Sequence, residues 1–191
     1  MIRNLLLAGV LGFTATAFLA SSSANAPKDK DNDGSLFSAL TPVLRHPRCL
    51  NCHSTGDFPR QGDDGHQHTM NVRRGTSGMG ATAERCPTCH QDHNLAGLHL
   101  PPGAPGWRLP PAATPMIWQG RTDGEICAQI KDPKQNGGKS LQKIVEHMTE
   151  DKLVAWGWNP GDGRTSVPVS HDEFSAKVKA WVAAGAPCPA K

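Results

Sequence analysis

Cys49-Leu50-Asn51-Cys52-His53 and Cys86-Pro87-Thr88-Cys89-His90 decide how this chain is read. Both have the form C-x-x-C-H. Two thiols three positions apart can reach the two vinyl groups on one edge of a haem and form thioethers. The adjacent histidine then offers the iron a nitrogen. The spacing predicts two covalently attached haem c groups, held by Cys49, Cys52, Cys86 and Cys89, with His53 and His90 as iron ligands. Paired cysteines also make four-cysteine zinc sites and redox dithiols. Both of those chemistries leave the histidine after each pair unexplained.

The two motifs lie too close in sequence for each haem to have its own enclosing domain. One fold should therefore hold both haems near each other. The composition points the same way. Gly (20) and Pro (16) are abundant and Tyr is absent, so loops outweigh regular structure and a large apolar cofactor would supply core that the side chains lack. The expected fold class is mostly α and loop-rich, a single domain organised around two covalently bound c-type haems.

Ahead of the motifs, Arg3 and the apolar run over residues 5–20 lead into Ser21, Ser22, Ser23 and then Ala24-Asn25-Ala26, which has A-x-A form. This predicts a signal peptide over residues 1–26, export to the periplasm, and a mature domain over 27–191. Cleavage after Ala24 is the other option, because Pro27 would follow the first cut. The competing reading is an uncleaved anchor, which would make the membrane a partner, but the run is shorter than the ~20 residues that span a bilayer. Asp29-Lys30-Asp31-Asn32-Asp33-Gly34 begins like a calcium loop, yet its twelfth position is Leu40 where a bidentate Glu belongs. A solvated segment ending in a helix cap is the simpler reading.

Within the mature part, residues 27–121 carry haem attachment and residues 122–191 are helical. Leu36, Phe37, Leu40 and Leu44 recur at helical spacing before His46-Pro47. Residues 48–121 show almost no sustained period and are punctuated by Pro101-Pro102, Pro105-Gly106 and Pro110-Pro111. Thr122 with Glu125, and Ser170 with Glu173, have capping-box spacing, and Leu141, Ile144, Val145 and Met148 form one apolar stripe. The helix is expected to continue through Trp158, with Trp156, Trp158 and Trp181 packing in the core and haem contact a further role for one of them. Cys127 and Cys188 remain after the motifs take four of the 6 cysteines, and in an oxidising compartment they are expected to pair.

Two irons can take two further ligands. His46, His66, His68, His93, His99, His147 and His171 are available, a supply that favours bis-histidine ligation. His68 is the first choice, in a loop free to fold over a haem face. His147 is the second, on a helix beside the apolar stripe. His46 is the reserve, and Met70 and Met116 are the thioether alternatives. The formal charge of +3 is evenly spread with no basic stripe, so nucleic acid is not an expected partner.

The paired motifs resemble multihaem cytochromes c. The wider pattern resembles exported dihaem proteins labelled as a cytochrome-type subunit of isoquinoline 1-oxidoreductase. The matching stretches are His46-Pro47-Arg48-Cys49, His68-Thr69-Met70-Asn71, Lys131-Asp132-Pro133 with Asn136-Gly137-Gly138, and Trp156-Gly157-Trp158-Asn159-Pro160-Gly161. That resemblance implies service to a molybdenum hydroxylase, although no molybdopterin or flavin motif stands in this chain. The function expected is periplasmic electron transfer between a partner oxidoreductase, such as a dehydrogenase, and a respiratory carrier. The competing classes are a peroxidase-like haem enzyme and a haem-bearing structural or sensor subunit of a larger complex.

Overall fold

Proline and short capping residues cut the apolar stretch ahead of the first motif into three pieces. In the computed structural model, which describes residues 34–190, α1 (Ser35–Ser38), α2 (Thr41–Leu44) and α3 (Pro47–Leu50) follow one another. Pro42 and Pro47 stand in the first turns of α2 and α3, where a missing N–H costs nothing. The single helix expected over residues 36–44 is therefore broken. The helical spacing was still informative, because Phe37, Leu40 and Leu44 are buried and Leu36 is partly buried against the same core. Leu40, the twelfth position of the calcium-like segment, lies fully inside the core. The rest of that segment before Gly34, and the leader, lie outside the described residues.

Residues 51–121 form loops with two small hairpins, as the lack of periodicity predicted. Strand β1 (Arg60–Gln61) pairs antiparallel with β2 (His66–Gln67), and β3 (Gly80–Ala81) with β4 (Glu84–Arg85). Arg74 staples this region from within. Its buried guanidinium donates to Pro110 O at 2.7 Å and to Gly56 O at 3.4 Å, joining segments before and after the second motif.

The last third carries α4 (Asp123–Lys131), α5 (Leu141–Glu150), α6 (Lys152–Ala155) and α7 (His171–Ala183). That makes seven α-helices among the described residues, in one compact, loop-rich domain with little sheet. The capping box at Thr122 is present in both directions, and Ser170 Oγ accepts from Glu173 N. The helix does not run on through Trp158 as expected. Asp151 ends α5 and caps α6, whose continuation tightens into a 3-10 turn at Trp156–Trp158.

The core lies where α1, α4, α5 and α7 meet. Phe37 and Trp181 pack edge to face at 5.3 Å there, with Ile126, Ile130, Phe174 and Val178 around them. Cys127 on α4 and Cys188 after α7 form a disulfide, with Cα atoms 5.6 Å apart. Gly34 makes room for this chain end. It takes φ +87°, and a Cβ there would fall 2.3 Å from Pro189 N. No helix among the described residues is long and apolar enough to cross a membrane.

Candidate functional site

The two C-x-x-C-H motifs fold into the same turn. Cys52 N and His53 N both donate to Cys49 O, at 3.1 and 3.0 Å. Cys89 N and His90 N both donate to Cys86 O, at 3.2 and 2.9 Å. A helical turn brings residues i and i+3 onto one face, so each pair of thiols is presented side by side. None of the four is in a disulfide.

The histidines are held alike as well. His53 Nδ1 lies 2.8 Å from Met116 O, and His90 Nδ1 lies 2.7 Å from Pro102 O. A carbonyl oxygen only accepts, so Nδ1 carries the proton in each ring and Nε2 keeps its lone pair for a metal. Each ring also lies flat against an indole. His53 stacks on Trp118 with centroids 3.6 Å apart and planes 4° apart, and His90 on Trp107 at 4.4 Å and 5°. Burial pushes the His53 imidazole down to about 3 and lowers that of His90, so both rings are in the neutral, ligating form at pH 7. Burial also pushes the thiols up, Cys49 to about 12 and Cys52 to about 11.

The loops without periodicity supply these contacts. Trp118 N donates to His53 O at 2.9 Å, so the strand of chain bearing Met116 and Trp118 runs along the first motif. Asn94 does the equivalent for the second. Its side-chain oxygen accepts from Gly103 N and Trp156 Nε1, both at 3.0 Å, pinning the proline-rich segment that carries Pro102.

A cavity of about 700 Å³ opens beside the first motif, lined by Cys49, Cys52, His53, Met116, Trp118 and His147 together with apolar side chains of α2, α5 and α7. Its size lies within the range of cofactor sites. Trp181 is wholly buried in the core and Trp158 packs against that core, as expected, while Trp156 and Trp158 also line this cavity. Arg48 and Trp118 line it too, although Arg48 Nε and Trp118 Nε1 are themselves buried and without a hydrogen-bond partner. The paired thiols and two histidines among mostly apolar side chains are a lining that a large, mostly apolar group such as a haem would fit. Arg48 is otherwise held by Gly62 O at 2.9 Å and by the Asp63 carboxylate.

His147 Nδ1 lies 3.0 Å from Asp151 Oδ2, which leaves its Nε2 available in the cavity that His53 also lines. His68 belongs to the second motif. The β1–β2 hairpin delivers it there, its Nδ1 lies 2.8 Å from Thr69 O, and its ring centre is 6.1 Å from that of His90. That closeness would let His68 and His90 hold one group between them. The remaining ligand candidates sit differently. His46 Nδ1 accepts from Arg48 N as the cap of α3, and Met70 is 71% exposed. Met116 lines the cavity but gives its carbonyl to His53 itself.

The two sites adjoin. Cys86 is close enough to Cys52 to raise its pKa, and Trp107, stacked on His90, also lines the cavity beside the first motif. Among the described residues no group of three or more His, Cys, Asp or Glu side chains is arranged around a bare metal ion. Trp107 and Trp118 were not singled out from the sequence. The only available signal was their place in the otherwise patternless loops that flank the motifs. No family model, no curated protein and no solved structure matches the chain.

Proposed function

We propose that this chain is an exported dihaem c-type cytochrome whose work is electron transfer in the periplasm. The observation that carries the proposal is the repeated construction at the two motifs. In each, paired thiols share a turn with a histidine whose Nδ1 is tied to a backbone carbonyl and whose ring is stacked on tryptophan. Haem bound there supplies one-electron chemistry, at potentials set by axial ligands, hydrogen bonds and burial. Cys49 and Cys52 anchor one group and Cys86 and Cys89 the other. His53 and His147 serve the first iron, and His90 and His68 the second. The shared wall at Trp107 keeps the two sites adjacent, which is what relaying electrons through one small domain requires. The donor and acceptor are a partner oxidoreductase, a dehydrogenase or a molybdenum hydroxylase, and a respiratory carrier.

Spectroscopy of the protein matured in a bacterial periplasm tests this reading. Two low-spin haems unaffected by peroxide or carbon monoxide are expected. A high-spin haem that binds either ligand would favour the peroxidase-like alternative. The ligand assignment has its own test. His68→Ala and His147→Ala should each convert one haem to high spin and leave both thioether attachments intact. Fully low-spin spectra in both variants would refute the assignment and direct attention to Met116.

A further inference from the structure

His147 differs from the other three histidines in its partner. His53, His68 and His90 each pair Nδ1 with a neutral backbone carbonyl, whereas His147 pairs it with the Asp151 carboxylate. A carboxylate carries a full charge and polarises the ring further, making the opposite nitrogen a stronger donor to a metal. Asp151 is also fixed in place. It stands at the junction of α5 and α6, and its second oxygen accepts from Leu153 N at 2.9 Å as the cap of α6. Its side chain is 28% exposed and, with His147, lines the cavity shared with Cys49, Cys52 and His53. Arg108 is the cation near enough to act on it, and it too lines that cavity.

We infer that Asp151 is a positioning residue that acts through His147 to lower the reduction potential of the first haem site, leaving the second site untouched. This rests on the dihaem reading above. A stronger donor stabilises the oxidised iron more than the reduced one, which moves the potential down. The asymmetry makes the two sites unequal by construction, so that the order in which they fill with electrons is built into the chain.

The same contact could be no more than an i,i+4 pair on a helix end, and the variants separate the two. Asn and Ser cap a helix about as well as Asp. Asp151→Asn therefore keeps the cap and removes the charge, and Asp151→Ser keeps the cap and is too short to reach His147 as well. In both variants a redox titration should show one midpoint moved to a more positive potential and the other unchanged, with a thermal midpoint like that of the parent. Unmoved midpoints, or two midpoints moved equally, in a protein that still carries two low-spin haems would overturn the inference while leaving the dihaem reading standing. A parent protein whose mass shows no attached haem would instead overturn the reading itself.

Discussion

Replacing Cys127 and Cys188 together by alanine is expected to lower the stability of the folded chain by about 4 kcal/mol. The bridge spans a sequence separation of 61 residues. On the chain-entropy account, cross-linking a loop of that length removes roughly 4 kcal/mol of freedom from the unfolded ensemble. The bridge ties α4 to the segment that follows α7. Two other contacts hold the same segment, Lys131 Nζ to Ala186 O at 2.6 Å and Trp181 Nε1 to Pro187 O at 2.9 Å. Those contacts survive the substitution, so the native structure should persist while its margin shrinks. For a domain of this size the thermal midpoint should fall by about 10 °C. Chemical denaturation of the variant and parent checks the figure. A difference below about 1 kcal/mol would mean that the native contacts around the bridge, and not the closed loop, hold the chain end in place.

The second large effect is expected at Trp118. It is 5% exposed, belongs to the main core, and covers one face of His53 at 3.6 Å. Truncating a buried tryptophan to alanine costs about 3–5 kcal/mol through lost transfer energy and the cavity left behind. Here it also frees a ring that is otherwise held by a single hydrogen bond to Met116 O. Trp118→Ala should therefore show both a stability loss of that size and a first haem whose spectrum is heterogeneous. Trp118→Phe keeps a flat apolar surface against the imidazole and should recover most of both. An alanine variant that loses the stability but shows an unaltered haem spectrum would mean that the indole packs in the core without orienting His53.

The sequence carried some of this plainly and some of it hardly at all. Caps are local: Thr122 and Glu125 form the full box read for them, and Ser170 caps α7 through Glu173 N without the return bond from the Glu173 carboxylate. The stripe from Leu141 to Met148 likewise depends only on helical period, and α5 spans it. Helix interruptions were less legible, because the apolar spacing continued through Pro42 and Asp151 while the backbone stopped. Proline at N1 or N2 starts a helix as readily as it breaks one, and an aspartate inside a periodic stretch becomes a cap only when the next turn changes direction. The walls of the site were least legible. Trp118 meets His53 and Trp107 meets His90 across long loops, where no period or spacing links the partners. The carbonyls of Met116 and Pro102 leave no trace in the side-chain pattern at all, since any residue carries one.

Intact mass decides whether the mature chain carries covalent haem. The protein should be purified from a host that attaches haem in the periplasm, extracted with acidified acetone, and weighed intact. The expected mass is that of the processed polypeptide plus two haems, with peptides containing Cys49 and Cys52 and peptides containing Cys86 and Cys89 each carrying one. A bare polypeptide with four alkylatable thiols at those positions, or one that binds zinc through them, would contradict it.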